Sequence, residues 1–590
     1  MRNELTNPSA SAGTVGLGNV LMRTSRSLDG TWRAIVDPYD TGYVSILGTR
    51  NDRGWFRDFA PRDPGDRVEY DFANSLELQV PGDWNTQHDQ LHYYEGTVWY
   101  RTKFDGTAAA ESESQRHFLH FGAANHTARV FLDGEELATH VGGFGPFAVE
   151  VTGKVGPGEH TLIVQVNNRR EPDRIPAMRT DWWNFGGITR SVSLVSTPPT
   201  FMRDAWLTMD PSGVLVGGVT VDAGIGDGGD MPTVTLALPD LGIEAVVEAD
   251  GSVSIEPPAD LERWQPGAPV LHTVRWTCGD DVIEDQIGFR TVRVDGTQIL
   301  VNDQPVWLKG ISLHGEGPSG GTRSHGPTEA ATLLDWAQDL GANFVRLAHY
   351  QHDEHIVREA DRRGLLIWCE LPVYWGIAFD DAAVLANALD QTNELVVRDR
   401  SRAGVILWSV ANETLPGDER TTFLASLVDR TRDLDPTRLT TAALLTLPSA
   451  DPVVHVTDPL GEVIDVVAIN QYLGWYYGDR DDIPDIEFST AFDKPIIFSE
   501  LGAGAKAGHH GGENEVWTEE FQAAVYRAQI AMIDKQSRCA GMSPWILKDF
   551  RTPLRVLPGI QDGYNRKGLF SEEGEPKLAA DVLRAYYQSR

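Results

Sequence analysis

The pattern of apolar and polar positions divides the chain into three parts. Up to about residue 198 it shows short alternating runs, such as VWYRTKF at 98–104 and HTLIVQVNN at 160–168, with Asp133-Gly134 as a two-residue hairpin signal. After Thr197 and two prolines the alternating runs become sparser, as in TVTLAL and HTVRWTC. The pattern predicts a jelly-roll β-sandwich over residues 1–197 and a smaller immunoglobulin-like β-sandwich over residues 198–292.

In the third part, short apolar runs are followed by helical patterns. The first helical pattern is expected to be capped by Thr328 and to end at Gly341, and the second to end at Gly364. The rhythm of strand and helix predicts a (β/α)8 barrel, the TIM barrel, over residues 293–590. The eight strand candidates are LKGISLH (308–314), NFVRLAH (343–349), LLIWCEL (365–371), VILWSVANE (405–413), TTAALL (440–445), VVAINQY (466–472), PIIFSELG (495–502) and CAGMSPWILKDF (539–550).

Composition narrows the class of partner. With 51 Lys and Arg against 85 Asp and Glu, the net charge of −34 repels phosphate backbones and anionic lipids, so neither nucleic acid nor a membrane is expected as a partner. Cys278, Cys369 and Cys539 have no spacing typical of a disulfide framework or a zinc site. The opening residues show no basic segment followed by an apolar one, so a cytoplasmic location is expected.

Two of the barrel strand candidates end in a glutamate. Glu413 closes the fourth and Glu500 closes the seventh, each after an apolar run. Either residue alone could cap a helix or pair with an arginine, but TIM barrels place their chemistry at the ends of the strands. Two carboxylates about 5–5.5 Å apart perform retaining glycoside hydrolysis, one as the nucleophile and one as the acid. The pair therefore predicts a glycoside hydrolase.

The motifs VWYRTKF, WWNFGGITR (182–190), WSVANE, NQYLGWY and FSELG resemble glycoside hydrolase family 2, and the resemblance covers the whole chain. It implies that Glu413 is the acid/base and Glu500 the nucleophile. It also implies that Asn412 hydrogen-bonds the sugar beside the reacting carbon. Tyr472 would donate to the nucleophile, and Arg346 would keep it ionised.

Within the family, the chain is most similar to the β-glucuronidases. Asn565-Arg566-Lys567-Gly568 matches the N-x-K pair that binds the carboxylate of the uronic acid, with Asn565 as an amide donor and Lys567 as a cation. The alternative for this motif is a surface turn with a solvated lysine. Three further matches carry expectations about the sugar site: Asp181 would reach it from the first sandwich, Trp475 and Tyr476 would lie near Asp181, and Trp545 would stack on the ring.

Several residues depart from the family pattern. Pro372 stands where metal-dependent β-galactosidases of the family carry a histidine after Glu370, so we predict no metal and no cofactor. YQHDEH follows His349 and leaves its role open, and His314 is either a pocket residue or a barrel histidine with its own partners.

The substrate is therefore expected to be a carbohydrate, cleaved by a retaining, exo-acting hydrolase. A β-glucuronide is the first choice, and a β-galacturonide or a neutral β-galactoside remains open because the loop before Asn565 differs from that of the best-known glucuronidases. A non-catalytic carbohydrate-binding protein is disfavoured by the intact pair of Glu413 and Glu500. The natural aglycone and association into homo-oligomers are left open.

Overall fold

The computed structural model describes residues 10–59, 63, 68–107, 115–223, 232–446 and 452–590. Residues 1–9, part of the segment expected to carry no export signal, lie outside the described residues. Among the helices of the described ranges, none combines the length and the apolar character that crossing a membrane requires.

The N-terminal part is a sandwich of two antiparallel sheets. Asp133 and Gly134, with φ of 49° and 81°, join two of its strands as the hairpin that the sequence predicts. Its core contains Trp32 and Tyr100 from one sheet and Phe121 from the other. In spatial order, one sheet contains Leu76–Val80, Gly30–Asp37, Thr97–Asp105, Glu159–Asn167, Thr127–Leu132 and Glu135–Val141, and the other contains Ser25–Ser27, Val192–Thr197, Arg116–Phe121 and Phe147–Glu150.

A second, smaller sandwich follows. Leu207 of one sheet packs with Leu236 and Trp276 of the other, because alternate residues of each strand point inward. One sheet contains Phe201–Met209, Leu215–Asp222 and Ser252–Ile255, and the other contains Ile243–Val246, Val234–Leu238, His272–Cys278 and Asp281–Ile287. A three-stranded sheet of Val292–Asp295, Gln298–Val301 and Gln304–Val306 then leads into the barrel.

The C-terminal part is a closed barrel of eight parallel strands, which confirms the predicted fold class. All eight strand candidates form barrel strands. We number them β1 (Leu308–Leu313), β2 (Phe344–Leu347), β3 (Leu366–Glu370), β4 (Val405–Asn412), β5 (Leu439–Leu445), β6 (Val466–Asn470), β7 (Ile496–Glu500) and β8 (Cys539–Met542).

The start of the first barrel helix differs from the prediction. The helix begins at Pro327, with Gly326 as its N-cap, so Thr328 lies inside the first turn and its assignment as the cap was wrong. Proline suits the first helical position because its missing N–H would have no partner there. The predicted ends are confirmed, since Gly341 and Gly364 follow the first two helices with φ of 82° and 73°. The barrel helices are Pro327–Asp339, Glu354–Arg362, Ala382–Asp399, Asp418–Leu434, Glu519–Ile533 and Leu578–Ser589.

The alternation of strand and helix is not regular. After β5 and β6, the described residues form 3-10 helices at Pro459–Glu462 and Arg480–Asp485. They also form a two-stranded parallel sheet of Val453–Val456 and Glu487–Thr490. Beyond β8, the short strands Phe550–Arg551 and Tyr564–Asn565 pair and hold out the intervening residues as a loop, which we call the 552–563 loop.

Candidate active site

A cavity of about 320 Å³ lies at the carboxyl ends of the barrel strands. This is where TIM barrels carry their active sites, because the loops after the strands converge there. Of the predicted site residues, its walls contain Asp181, His349, Glu413, Tyr472, Tyr476, Glu500, Trp545 and Lys567. The structure thus brings both strand-end glutamates to one cavity.

Glu500 is the last residue of β7 and is buried. Arg346 donates to one of its carboxylate oxygens at 2.9 Å, and the Tyr472 hydroxyl donates to the other at 2.6 Å. Burial, and then the charge of Glu500, raise the pKa of Tyr472 well above its ordinary value, so the phenol keeps its proton and remains a donor. The carboxylate is therefore held in a fixed direction by a cation and a neutral donor.

Glu413 directly follows β4, with its backbone in the left-handed region at φ 50°. Trp375 donates its indole N–H to one carboxylate oxygen at 2.9 Å, and Asn470 donates to the other at 3.1 Å. Removal from water, and next the charge of Glu500, raise the pKa of Glu413 to about 7. Burial is thus the first cause of the raised pKa, and the neighbouring carboxylate is the second.

Behind the two glutamates lies a fully buried ion pair. Arg346, on β2, donates to both oxygens of Glu370, the last residue of β3, at 2.9 and 3.1 Å. Burial would raise the pKa of Glu370, but Arg346 and then His349 hold it at about 2. The same guanidinium reaches Glu500, so Arg346 joins the ends of β2, β3 and β7.

His349 lines the cavity between these carboxylates. Its Nδ1 lies 2.8 Å from Glu370, its Nε2 lies 3.8 Å from Glu500, and its ring stacks on Trp545 at 4.7 Å. The indole N–H of Trp368 also donates to Glu370, so the Glu370 carboxylate is bound by protein donors. No group of three or more His, Cys, Asp or Glu suited to a metal occurs in the described ranges.

Asn412 lies beside the glutamates but behind the cavity wall. Its Oδ1 accepts from Arg346 at 2.8 Å and from Asn470 at 3.1 Å. Its Nδ2 is buried and has no hydrogen-bond partner within the described part of the chain. A buried donor without a partner is costly, so an acceptor that reached this amide would remove that cost.

Lys567 contributes a buried ammonium to the cavity wall. It donates to the Tyr476 hydroxyl at 2.7 Å and lies over the rings of Tyr476 and Tyr472 at 4.7 and 5.1 Å. Burial would raise the pKa of Tyr476, but Lys567 and Arg555 outweigh it and the pKa lies below its ordinary value. Within the described residues, no carboxylate pairs with this ammonium.

Asp181 crosses from the first sandwich to the 552–563 loop. Its carboxylate accepts from Arg555 at 2.5 and 3.2 Å, from the Thr552 hydroxyl at 2.8 Å and from Asn565 at 3.1 Å. The side chain of Asn565 therefore points to Asp181 and is not part of the cavity wall. Asp181 lines the cavity while both of its oxygens bind protein donors.

The remaining predicted residues lie in or behind the aromatic wall. Trp545 lines the cavity. His314 is buried behind it, 5.1 Å from the Trp545 ring, and its Nδ1 faces the Tyr350 hydroxyl at 3.0 Å. Burial lowers the pKa of His314 well below its ordinary value, so this ring is neutral. Trp475 packs behind Tyr476 and against Trp517, at 5.9 and 4.9 Å.

Sequence reasoning missed several residues of the cavity, among them three that bind the predicted site residues: Asn470, Trp375 and Arg555. Asn470 is the polar last residue of the apolar strand β6, so the strand-end signal that marked the glutamates was present for it too. Trp375 and Arg555 stand in loops without periodicity, and no local signal indicated that they meet Glu413 and Asp181.

Comparisons with known proteins agree with this architecture. The chain matches the family profile "Glycosyl hydrolases family 2, TIM barrel domain" over residues 292–589 and "Glycosyl hydrolases family 2, sugar binding domain" over residues 26–198. The chain belongs to glycosyl hydrolase family 2 and is a glycoside hydrolase.

Several of its relatives are β-glucuronidases, and two of them illustrate the similarity. The chain is 27% identical to that of Paenibacillus borealis, over 96% of this chain and 97% of the relative. It is also 27% identical to that of Homo sapiens, over 96% of this chain and 91% of the relative. The solved structure of the β-D-glucuronidase of Dictyoglomus thermophilum has a TM-score of 0.79 and 25% identity, and covers 96% of this chain and 98% of its own.

Proposed function

We propose that this protein is an exo-acting, retaining β-glucuronidase. The observation that carries the proposal is Lys567, a buried ammonium in the cavity wall for which the described residues supply no carboxylate. A buried cation without a counter-ion is unfavourable until an anion enters, and the C6 carboxylate of a uronic acid is such an anion. The β-glucuronidases among its relatives support the same substrate.

In the first step, Glu500 attacks the anomeric carbon while Glu413 gives its proton to the glycosidic oxygen. The bond from the sugar to the aglycone breaks, and a glycosyl ester forms on Glu500. The Tyr472 hydroxyl, which donates to the free carboxylate at 2.6 Å, keeps one oxygen oriented while the other attacks. The resemblance to the family assigns the Asn412 amide, which has no partner among the described residues, to the 2-hydroxyl of the sugar.

In the second step, water replaces the aglycone. Glu413, now ionised, takes a proton from this water, which attacks the anomeric carbon and releases Glu500. Two inversions give net retention. The same group serves as acid and base, which requires a pKa near the working pH, and about 7 meets that requirement.

The proposed carboxylate site consists of Lys567, Tyr476 and Arg555. Arg555 is shared with Asp181, so the local charge of the three side chains Lys567, Arg555 and Asp181 is positive while the chain as a whole carries −34. A local cation is needed to hold an anionic substrate in such a field. The bridge from Asp181 to Arg555, Thr552 and Asn565 joins the first sandwich to the loop beyond β8 and supports an exo-acting pocket that takes one terminal sugar.

A panel of nitrophenyl β-glycosides tests this proposal. We expect the glucuronide to exceed the galactoside and the glucoside by at least about two powers of ten in kcat/KM, because only a uronate meets Lys567. The galacturonide differs from the glucuronide only at C4 and serves as the matched comparison for sugar configuration. Faster hydrolysis of a neutral glycoside would replace the proposed substrate by that sugar.

The pH dependence of the reaction follows from Glu413. Glu413 must carry a proton in the first step, so for a substrate with a poor leaving group, such as methyl β-D-glucuronide, kcat/KM should fall about tenfold per pH unit above about pH 7. Glu413→Gln should abolish this basic limb for nitrophenyl substrates, which need little protonation. A wild-type profile that stays flat up to about pH 9 would contradict the assignment of Glu413 as the acid.

The raised pKa of Glu413 also affects stability. Since the pKa rises from 4.5 to about 7, the fold favours the protonated group, whose contribution is complete below pH 4.5 and is lost as the pH rises through about 7. We expect the free energy of unfolding of Glu413→Gln, relative to that of the wild type, to increase by up to about 3 kcal/mol from about pH 5 to about pH 8, and the difference in Tm to increase with it. Parallel Tm curves for the two proteins would contradict this.

Three further assignments belong to the proposal. We keep the division into 1–197, 198–292 and 293–590, supported by the change of sheet between Thr197 and Phe201. A cytoplasmic location is supported by three free cysteines. Association into homo-oligomers remains a prediction from the family.

A further inference from the structure

A second cavity, of about 670 Å³, opens beside the first on the side of Glu413. The two cavities share Trp375, Glu413 and Leu445. We call the second cavity the Glu413 groove. Its other lining residues are Gly376, Ile377, Phe379, Asp380, Leu415, Gly417, Glu419 and Arg420.

We propose that the Glu413 groove binds the aglycone, and that it selects flat, apolar aglycones that are neutral or cationic. This inference rests on the proposed function, because it concerns the leaving group of the same reaction. It goes beyond it by naming the chemical class of that leaving group.

The position of the groove follows from the chemistry of the acid. The group that protonates the glycosidic oxygen must lie on the same side as the aglycone, since that oxygen leaves with it. Glu413 lines both cavities, and its carboxylate is held there by Trp375 at 2.9 Å. When the glycosidic bond lies beside Glu413, the sugar therefore occupies the first cavity and the aglycone occupies the groove.

The walls of the groove define the aglycone as apolar. Ile377 and Phe379 come from the segment after β3, Leu415 from the segment after β4, and Leu445 from the end of β5. Phe379 is held by an edge contact with Phe423 at 5.4 Å. Leu415 is 65% exposed, so its side chain is accessible to a ligand in the groove. Aromatic and aliphatic walls of this kind favour a planar ring system.

The charges at the groove define the aglycone as not anionic. Asp380 and Glu419 are exposed, and within the described residues neither forms an ion pair. The cation of the groove, Arg420, is already bound to Asp458 at 2.7 and 3.0 Å and to Thr414 at 2.8 Å. An anionic aglycone would therefore meet two carboxylates and no available cation.

The test compares aglycones on one sugar. Its readout is the ratio of kcat/KM for methylumbelliferyl β-D-glucuronide to that for methyl β-D-glucuronide, in the wild type and in Leu415→Ala and Ile377→Ala. Comparing ratios between proteins cancels the different reactivities of the leaving groups. We expect the ratio to fall about fivefold in each variant, equivalent to about 1 kcal/mol. The rate of the second step should not change, because the aglycone has left by then, whereas general damage to the fold would lower both steps.

Leu47→Ala is the matched control, since Leu47 is 83% exposed and lines neither cavity. The preference against anionic aglycones is tested separately: Glu419→Gln should raise kcat/KM for a 4-carboxyphenyl glucuronide about threefold relative to its 4-carbamoylphenyl analogue, and added salt should reduce this gain.

If the ratios are unchanged in Leu415→Ala and Ile377→Ala while the enzyme hydrolyses glucuronides, the groove does not bind the aglycone, and the proposed function stands. If the wild type hydrolysed only a neutral β-glycoside, the proposed function would fail, and the same ratio measured on that sugar would decide the groove. Hydrolysis of neither sugar would reject both.

Discussion

Glu500→Ala is expected to lower kcat for a nitrophenyl glucuronide by at least about four powers of ten. The reason is that the covalent intermediate forms on this carboxylate, and no other described carboxylate is placed to replace it. Glu370 is engaged by Arg346 and His349, and its pKa of about 2 makes it a weak nucleophile. Glu413 is the acid for the same bond and cannot serve both roles in one step.

External azide should restore part of the activity of Glu500→Ala. The small anion fits the space of the removed carboxylate and attacks the anomeric carbon from that side, giving a glycosyl azide of inverted configuration. Glu500→Gln is the matched variant, because its amide fills the space and still contacts Arg346 and Tyr472. It should be as inactive as Glu500→Ala but should not respond to azide. Turnover near the wild-type rate in either variant would show that Glu500 is not the nucleophile.

The barrel was predictable because its signals are local. Each strand is an apolar run that is buried on both faces, as in β4, where all eight residues are buried. The N-terminal hairpin at Asp133 and Gly134 was predictable for the same reason, since two consecutive positive φ values limit the choice of residue. The helix start at Pro327 was missed because two competing local signals, a threonine cap and a proline, stand one residue apart.

The parts of the site that could not be predicted depend on contacts distant in sequence. Glu413 and Glu500 end strands, so the fold class alone places them at one end of the barrel. The pairing of Asp181 with Arg555 spans 374 positions and depends on how the first sandwich docks on the 552–563 loop. The sequence argument predicted that Asp181 reaches the sugar site, and Asp181 does line the cavity, but its partners Arg555, Thr552 and Asn565 could not be predicted.

The electrostatics of the site also depended on burial, which sequence cannot supply. Glu413 and Glu370 are both glutamates at strand ends, yet the pKa of one is about 7 and that of the other is about 2. Burial raises both, and the difference arises because Arg346 contacts Glu370 directly, while Glu413 accepts only from the neutral groups of Trp375 and Asn470. The separated pKa values allow Glu413 to act as an acid while Glu370 stays charged.

Lys567→Met is expected to lower kcat/KM for glucuronides by about two to four powers of ten and to affect neutral glycosides far less. Methionine keeps an apolar stem among Tyr472, Tyr476 and Trp475 and removes only the ammonium. A buried substrate carboxylate would then lose a partner worth about 3–5 kcal/mol, while a hydroxymethyl group never used the charge. Asn565→Ala should have a smaller effect, because it removes a neutral donor that already binds Asp181.

The measurement that checks this is kcat/KM for a nitrophenyl glucuronide and the corresponding glucoside in the same variant. Lys535→Ala is the matched control, since this lysine is exposed and pairs with Asp485 on the surface. It should change kcat/KM for neither substrate, apart from a small salt-dependent effect on the anionic one.

Arg555 lies close to the same position and would retain part of the binding, so Lys567→Met should leave some preference for the uronate. If both substrates fell by the same factor, Lys567 would support the packing of Tyr472 and Tyr476 and would not recognise the sugar. The neutral glycosides would then become the better substrates to test.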